Sequence, residues 1–489
     1  MSSLYRASRL GPAQKEAKRF VSSLESDKHL FESVIEINQA HIVMLGRRRI
    51  IPRKHVRKLL RALARVRSIP KSSQAEDVHV AVEEAVTKRA GKSAGGYLQF
   101  AKSRNDQVAA AIRLRLRSEL LQIIDLLIDL LTDLQKTIRK HHKTLMIGRT
   151  HMQPAEPITY GHYLMAFHDA ILRDLQRLEE YYFRLNLSPM GGCALAGTSI
   201  AIDRRMVAAL LGFNGLVENS LDAVGSRDFA LEFLANMSQL AVDISRLTED
   251  FIFYTTPEAG QLQLPDELAF TSSIMPQKKN PDIIELARAK CAIPIGAYSQ
   301  TATILHSLPS SYNLDLQEIT PNIWVSSRAM QDVAGTVRIL ISRTSVRDVD
   351  VNRTDFVMTT ATEAANILVT ELGIPFRLAH QIVGSAASEF SRDRAKRADS
   401  WLDILIQKAR EMTGNQSKEL KARLARALSV GDIVARKKSL GSPAPRETLR
   451  LLRARSVILK RVISRQRMRR NLAASAKTQL RREVLRLGR

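Results

Sequence analysis

The sequence predicts an all-α fold built around a central bundle of long helices. Residues 103–147 contain neither glycine nor proline. Their apolar residues recur every three or four positions, as along one face of an α-helix. A second run with this spacing covers residues 226–256. No segment alternates apolar and polar residues over several positions, so we expect little sheet. Helices much longer than the usual ~11–12 residues favour a large bundle.

Three regions follow one another along the chain. Residues 1–103 contain shorter helical segments and loops, which predict an N-terminal helical domain. Residues 104–350 hold the long helices, with further ones predicted over 157–180 and 324–343, and predict a central bundle domain. Residues 351–489 return to shorter helices separated by glycine and proline, and end in a basic tail. We therefore expect three mainly helical domains.

The composition is that of an ordinary globular protein of 489 residues, 45% apolar and 25% charged. Its two cysteines exclude a disulfide framework and a cysteine-based zinc cluster, and such sparse use favours a reducing compartment. The most apolar helical run, 120–131, is interrupted by Asp125 and Asp129, so it predicts a buried core helix and no membrane span. The amino-terminal segment lacks the apolar stretch of a secretory signal. We expect a cytoplasmic enzyme.

The formal net charge of +26 is concentrated in two segments. Residues 451–489 hold thirteen Lys/Arg and one acid, and residues 53–67 hold seven Lys/Arg and no acid. Such runs form either solvated helix faces or surfaces that bind nucleic acid or another polyanion. No zinc-finger or RNP-type motif accompanies them, and an aromatic content of 5% disfavours a platform on which bases stack. We therefore prefer solvated faces, with a nucleic-acid-associated protein as the alternative.

The most informative segment is 271–285, TSSIMPQKKNPDIIE. It places Ser272, Lys278 and Asn280 within nine residues, and Pro281 suits the first turn of the helix that follows. A loop with a hydroxyl, a cation and an amide is equipped to hold a carboxylate and to stabilise negative charge that develops on it. The alternative is a helix start with an incidental lysine.

This segment closely resembles the motif Gly-Ser-Ser-x-Met-Pro-x-Lys-x-Asn of the fumarase/aspartase superfamily, with Thr271 in place of the glycine. Other segments resemble the argininosuccinate lyase family: Ser103–Val108, Thr150–Gln153, Asn219–Ala223 with Arg227–Phe229, and Tyr312–Glu318. The resemblance covers about residues 20–450. It implies three mainly helical domains, a homotetramer with a twenty-helix core, active sites shared between subunits, and no metal or cofactor.

The resemblance also implies a reaction, the elimination of fumarate from argininosuccinate with release of arginine, the last step of arginine biosynthesis. Loss of a proton beside a carboxylate places two negative charges on that carboxyl group, so a base, cations and an acid are needed. Ser272 is implied as the base and Lys278 as the cation at the reacting carboxylate. His151, oriented by Glu285, is implied as the acid, and other accounts of the family reverse these acid and base labels.

The residues implied to bind substrate are Ser23, Arg104, Asn105, Thr150, Asn280, Tyr312 and Gln317. Asn280 would contact the reacting carboxylate, whereas Tyr312 and Gln317 would hold the arginine end. Arg104 has the fork geometry that pairs with a carboxylate.

The chain departs from the family pattern in three places. Gln99–Lys102 stand where the family has His-Thr-Gly-Arg, so a bidentate cation becomes a lysine. Thr271 is expected to stiffen a loop that has glycine in the family. Thr320 replaces a lysine and puts one contact to the amino-acid end of the substrate in doubt. The alternatives are a related lyase acting on adenylosuccinate or of fumarase type, and a catalytically silent structural relative.

Overall fold

The computed structural model describes residues 11, 13–69, 73, 75–347, 349–350, 353–392, 399–414 and 418–489. The first helices are α1 (Lys15–Phe20), α2 (Phe31–Arg47), α3 (Arg53–Arg65), α4 (Val78–Ala90) and α5 (Lys92–Gly95). The central helices are α6 (Arg104–Lys140), α7 (Tyr160–Leu185), α8 (Arg204–Leu210), α9 (Ser220–Gly225), α10 (Asp228–Thr255), α11 (Asp282–Lys290), α12 (Ala292–Leu305) and α13 (Thr320–Arg343). The last helices are α14 (Thr354–Met358), α15 (Ala361–Leu372), α16 (Phe376–Arg392), α17 (Asp399–Thr413), α18 (Lys418–Ala427), α19 (Val430–Arg436) and α20 (Pro445–Gly488).

The strands are short: β1 (Leu145–Thr150), β2 (Gln153–Thr159), β3 (Leu187–Ser188), β4 (Gly215–Leu216), β5 (Leu262–Gln263), β6 (Phe270–Thr271), β7 (Lys279–Asn280) and β8 (Ser345–Val346). They pair as β1–β2, β3–β4, β5–β8 and β6–β7. Short 3₁₀ segments cover Ser26–Leu30, Asp266–Leu268 and Leu314–Gln317. Helix dominates the described residues, so the all-α prediction is confirmed. The amino-terminal residues 1–10 lie outside the described residues.

Helix α6 begins at a capping box. Ser103 Oγ accepts a hydrogen bond from the backbone N–H of Asn105 (3.3 Å), and the carboxylate of Asp106 accepts one from the N–H of Ser103 (3.1 Å). The predicted apolar stripe is buried at Ile112, Leu116, Leu120, Ile123, Leu127, Leu130, Leu134 and Ile138. With 37 residues the helix is about 55 Å long, and it ends at Lys140, before the end of the predicted run at residue 147.

The hairpin β1–β2 was not predicted, and the helix predicted over 157–180 is wrong at its start. Pro157 lies in β2, because Pro154 and Pro157 favour an extended backbone for the residues around them. Helix α7 begins instead at Tyr160, where the side chain of Thr159 accepts a hydrogen bond from the N–H of His162 (3.1 Å).

Helices α6, α7, α10, α12 and α13 pack side by side as the bundle. Hydrogen bonds between them fix their directions. The hydroxyl of Tyr181, late in α7, donates to the carbonyl of Phe229, early in α10 (2.7 Å). The hydroxyl of Tyr163, early in α7, donates to Asp250, late in α10 (3.2 Å). These two helices are therefore antiparallel.

Helix α13 runs parallel to α6, since Ser327 donates to Glu119 (2.8 Å) and Arg338 donates to Asp133 (2.7 Å). The bundle thus has two distinct ends. We call the one at the starts of α6, α10 and α13 the Arg104 end. The opposite one, where α10 ends and α11 begins, is the Lys278 end.

The C-terminal third contributes to two apolar cores. Helices α15–α18 enclose their own core around Phe390, Trp401 and Leu405. The long helix α20 returns to the bundle, where Leu452 and Leu459 join the main core. The predicted domain boundaries at 103/104 and 350/351 stay a prediction.

The two basic segments lie on helix surfaces. In α3, Arg57, Lys58 and Arg61 are exposed, whereas Leu59 and Leu60 between them are buried. In α20, cations face acids of the first and central helices: Arg455 with Asp169, Arg465 with Glu179, Arg470 with Asp125 and Lys477 with Glu36. Ion pairs within the chain thus neutralise part of the charge of the tail. In the described part of the chain, no helix combines the length and apolarity needed to cross a membrane.

Candidate active site

The predicted site residues fall at the two opposite ends of the bundle. At the Arg104 end lie Ser23, Arg104, Asn105, Tyr312 and Gln317. At the Lys278 end lie Thr150, His151, Ser272, Lys278, Asn280 and Glu285. The ends are separated by the length of α10, whose 28 residues span about 42 Å.

The start of α6 is joined to the loop 191–194. The carboxylate of Asp106 accepts hydrogen bonds from the backbone N–H groups of Gly191 (3.0 Å) and Cys193 (2.9 Å). The side-chain amide of Asn105 donates to the carbonyl of Ala194 (3.0 Å). Burial raises the pKa of Asp106 to about 6, against the effect of these hydrogen bonds. Asn105 is therefore held in place by neighbours within the same chain.

Carboxylates hold Arg104 in a similar way. Its guanidinium donates to Asp77 (2.6 Å) and to Glu76. Burial lowers the pKa of Arg104, but these two carboxylates outweigh it and raise the pKa overall. Nearby, Ser23 Oγ donates to Asp27 (2.6 Å), and burial raises the pKa of this carboxyl to about 6. Arg104 thus joins Glu76 and Asp77 to the start of α6, and the backbone N–H of Ser23 donates to the carbonyl of Glu76 (2.9 Å).

Tyr312 and Gln317 complete the Arg104 end. Gln317 donates to the backbone carbonyl of Val21 (3.3 Å), so it lies beside the segment that carries Ser23. Burial raises the pKa of the Tyr312 hydroxyl, and the nearby cations Arg227 and Arg104 act in the opposite direction. Arg227 belongs to a segment that resembles the family, but local sequence assigns it no role.

At the Lys278 end, the ladder β6–β7 closes the loop 272–278. Thr271 pairs with Lys279, whose Nζ donates to the Leu264 carbonyl (2.6 Å) and to Asp266 (2.7 Å). Thr271 lies in an extended strand, a backbone conformation that suits a β-branched residue, so its place in this chain does not require glycine. The loop is anchored at its base and exposed at its tip.

Ser272 is half-buried at the start of this loop. Its Oγ accepts hydrogen bonds from the backbone N–H groups of Ile274 (3.3 Å) and Met275 (3.2 Å). Donors aimed at a hydroxyl oxygen favour negative charge on it. At the other end of the loop, Lys278 lines a cavity of about 710 Å³ together with Asn280 and Glu285. Arg347 also lines this cavity, and it was not predicted because no motif surrounds it.

Thr150 and His151 are exposed at the tip of the β1–β2 hairpin. His151 and Met152 are the two turn residues, with φ of 52° and 62°. Positive φ at both positions is the geometry of a type I′ turn, which normally uses Asn and Gly, so this backbone is strained. Among the described residues no hydrogen bond joins His151 to Glu285.

Two of the departures from the family pattern are buried. Lys102 donates to the side-chain carbonyl of Asn38, and burial lowers its pKa to about 7. Thr320 is 3% exposed at the start of α13. Ala101, where the family has glycine, has a φ of 60°, which is a conformation that glycine adopts readily. Within the described residues, no group of three or more His, Cys, Asp or Glu side chains is placed to hold a metal ion.

Comparison with known proteins gives consistent results. The family model described as lyase matches residues 12–296, and that of the argininosuccinate lyase C-terminal region matches 358–441. Argininosuccinate lyase of Methanosarcina barkeri is 40% identical, with 94% of each chain covered. That of Methanothrix thermoacetophila is also 40% identical, with 97% of each chain covered.

Among solved structures, EDDS lyase in complex with formate has a TM-score of 0.84 and 28% identity, covering 94% of this chain and 92% of that one. A class II fumarase from Schistosoma mansoni shares the fold, with a TM-score of 0.68 and 17% identity, over 83% of this chain and 90% of that one. The motifs, the bundle and these matches agree, and the chain belongs to the argininosuccinate lyase family of the fumarase/aspartase superfamily.

Proposed function

We propose that this chain is a carbon–nitrogen lyase that splits argininosuccinate into arginine and fumarate without a cofactor. The observation that carries the proposal is the anchored loop 272–278, which carries Ser272 and whose Lys278 lines a cavity together with Asn280 and Glu285. Relatives named argininosuccinate lyase match nearly the full length of the chain.

Ser272 acts as the base in this proposal. An alkoxide is strongly disfavoured in water, but the N–H groups of Ile274 and Met275 already point at Oγ and need no reorganisation when charge develops. Lys278 adds positive charge from the same loop. Ser272 takes the proton from the carbon beside the reacting carboxylate.

Lys278 and Asn280 bind the carboxylate that becomes a dianion in the carbanion intermediate. A cation and an amide there favour the dianion more than the ground state, which lowers the barrier. His151 then gives a proton to the guanidine nitrogen as the carbon–nitrogen bond breaks, with Glu285 orienting the imidazole. The assignment with the acid and base exchanged uses the same residues.

The active sites are shared between subunits of a homotetramer. A single chain leaves Arg104 and Ser272 at opposite ends of a helix about 42 Å long, so one substrate molecule cannot reach both. A second chain packed antiparallel brings an Arg104 end next to a Lys278 end. Four copies of the five bundle helices give a core of twenty helices.

Exposed apolar side chains on the bundle support this assembly. They are Val242, Leu286, Ile295, Tyr298, Val325 and Ile339, which lie on α10 to α13. Apolar side chains repeated along neighbouring helices form the kind of surface that proteins bury against a partner.

We also infer a cytoplasmic location, since both cysteines, Cys193 and Cys291, are free thiols.

The test is to mix the purified protein with argininosuccinate and follow fumarate by its ultraviolet absorbance. Ser272→Ala should lower kcat by about 10²–10⁴-fold. Ser273→Ala is the matched control, because Ser273 is the neighbouring exposed hydroxyl, and it should keep kcat within about threefold.

Release of fumarate only from adenylosuccinate or malate would assign a related lyase instead. A folded tetramer that releases no fumarate from any of the three substrates would indicate a silent structural relative.

A further inference from the structure

Arg227 is a buried cation with only part of its hydrogen-bonding capacity used. It precedes α10 at the Arg104 end and is 2% exposed. Its Nη1 donates to the carbonyl oxygens of Val224 (3.2 Å) and Ser226 (2.7 Å). Its Nε and Nη2 are buried, and within the described chain neither has a hydrogen-bond partner. Burying a guanidinium in this way is costly unless something pairs with it.

Two other arginines at this end have partners for their guanidinium groups that Arg227 lacks. Arg104 donates to the carboxylates of Asp77 and Glu76. Arg113 also donates to two backbone carbonyls through Nη1 alone and has a buried Nε without a partner, but its guanidinium lies 4.0 Å from the centre of the Phe229 ring. Arg227 has two carbonyl partners, both on Nη1, but within the described chain it has neither a ring contact nor a carboxylate. Its Nε–Nη2 edge, which fits a carboxylate, is buried with no partner on either atom, and we call it the open edge.

A cavity of about 550 Å³ lies beside Arg227. Polar groups of Asn219, Ser226 and Ser311 line it together with Arg227. Tyr312 is close enough to raise the pKa of Arg227, which burial lowers to about 10. The open edge therefore lies near the residue to which the family resemblance assigns the arginine end of the substrate.

The loop 307–312 covers Arg227. A Cβ on Gly225 would lie 2.9 Å from the backbone of Ser311, so this loop rests directly on the turn that precedes Arg227. Ser307 and Ser311 have φ of 59° and 73°, which are strained values for residues other than glycine. Ser307 is exposed and Ser311 is half-buried, so the loop lies at the surface of the molecule.

The amino-acid end of the substrate carries a carboxylate that needs a cation. The family pattern supplies a lysine at position 320, but this chain has Thr320, which has no charge. A second cation near Tyr312 must take over that contact if the carboxylate is to be recognised.

We propose that Arg227 binds the α-carboxylate of the arginine moiety, in place of the lysine expected at position 320, and that the loop 307–312 shifts to admit it. This inference rests on the proposed function. The Nε–Nη2 edge donates two parallel hydrogen bonds to the carboxylate, and Tyr312 lies alongside.

The experiment compares argininosuccinate with its analogue in which only the α-carboxylate is a carboxamide. Fumarate release gives kcat and KM for both substrates with the wild-type protein, Arg227→Gln, Arg227→Lys and the control Arg113→Gln. We expect Arg227→Gln to lower kcat/KM for argininosuccinate by roughly 10–100-fold, through KM, and to change that for the carboxamide by less than about threefold. Arg113→Gln should keep the wild-type preference between the two substrates.

Arg227→Lys keeps the charge and should fold even if Arg227→Gln does not, and it should show a smaller loss confined to argininosuccinate. If Arg227→Gln lowered kcat/KM by the same factor for argininosuccinate and for the carboxamide, the inference would be overturned and Arg227 would be a structural residue. A wild-type protein that releases no fumarate from argininosuccinate would reject the proposed function itself, which is a separate result.

Discussion

The two ends of the bundle differ in how many contacts of the predicted site residues a single chain supplies. At the Arg104 end, Ser23, Arg104 and Asn105 are already held by hydrogen bonds to neighbouring segments. At the Lys278 end, His151 and Lys278 are exposed on a hairpin and a loop. In the proposed tetramer the first end therefore binds substrate with preformed contacts, whereas the second end, where the reaction occurs, is completed by other subunits.

Mixing two inactive variants tests whether the ends work together. Arg104→Ala and Ser272→Ala each disable one end, so homotetramers of either variant should be inactive. After dissociation and reassembly of an equal mixture, a site is intact when both contributing subunits carry the unaltered residue. About one quarter of the wild-type activity should return. Mixtures that stay inactive, although mass measurements show hybrid tetramers, would place both residues in sites of a single subunit.

Substitutions at the two ends should affect different kinetic constants. Lys278→Gln should lower kcat by about 10²–10³-fold, because it removes charge stabilisation at the reacting carboxylate. Arg104→Gln should instead act chiefly by raising KM, so far that little activity remains at the substrate concentrations used in the mixing experiment.

Steady-state kinetics separates these effects, with Lys279→Gln as the control. Lys279 is the adjacent lysine but binds Asp266, outside the proposed chemistry. If Lys279→Gln lowered kcat as much as Lys278→Gln, the proposed role of Lys278 would be refuted.

The pH dependence of stability should also separate the ends. Burial raises the pKa of Asp27, at the Arg104 end, from 3.8 to about 6, so its ionisation in the folded state is disfavoured and stability falls as pH rises through this window. Asp27→Asn should reduce the loss of stability between pH 5 and pH 8 by about 1 kcal/mol, or about 1 °C in Tm for a chain of this length.

The control is Asp266→Asn at the Lys278 end. Lys279 lowers the pKa of Asp266 below 3.8, so this carboxyl is ionised throughout that range. Thermal unfolding at both pH values should show the same pH dependence for this variant as for the wild type. An equal change in the two variants would contradict the assignment.

The smallest effect is expected in helix α20, which connects the two ends along the outside of the bundle. Arg465 makes two hydrogen bonds to Glu179 (2.8 and 2.6 Å), and Glu179 is buried. Arg465→Gln should cost about 1 kcal/mol, measured by denaturant unfolding. The control is Arg467→Gln, two residues further along α20 at an exposed position, and it should change stability by less than about 0.5 kcal/mol. If both substitutions lowered the free energy of unfolding equally, the ion pair between Arg465 and Glu179 would contribute nothing to stability.

The sequence predicted the long helices because their periodicity is strong and uninterrupted. The helices predicted over 226–256 and 324–343 are observed as Asp228–Thr255 and Thr320–Arg343. The hairpin 145–159 escaped prediction because its strands carry no clean alternation and its turn residues, His151 and Met152, are not the usual Asn and Gly.

The chemistry of the site was accessible from motifs, but its geometry was not. The segment 271–285 identified Ser272 and Lys278 through local sequence alone. That these residues lie at the opposite end of the bundle from Arg104 depends on how α6 and α10 are packed, which no local pattern encodes. The open edge of Arg227 depends on the loop 307–312 folding over it, and this is a tertiary contact as well.

Helix α20 has a consequence for how the protein is made. It leaves the ribosome after all the other helices described above, yet its side chains complete the core formed by α2, α3 and α6. The nascent chain must therefore hold an unfinished apolar surface until α20 has been translated, and chaperones or transient local collapse would protect that surface in the meantime. A premature stop before residue 445 would leave that surface permanently open, and such a fragment should aggregate.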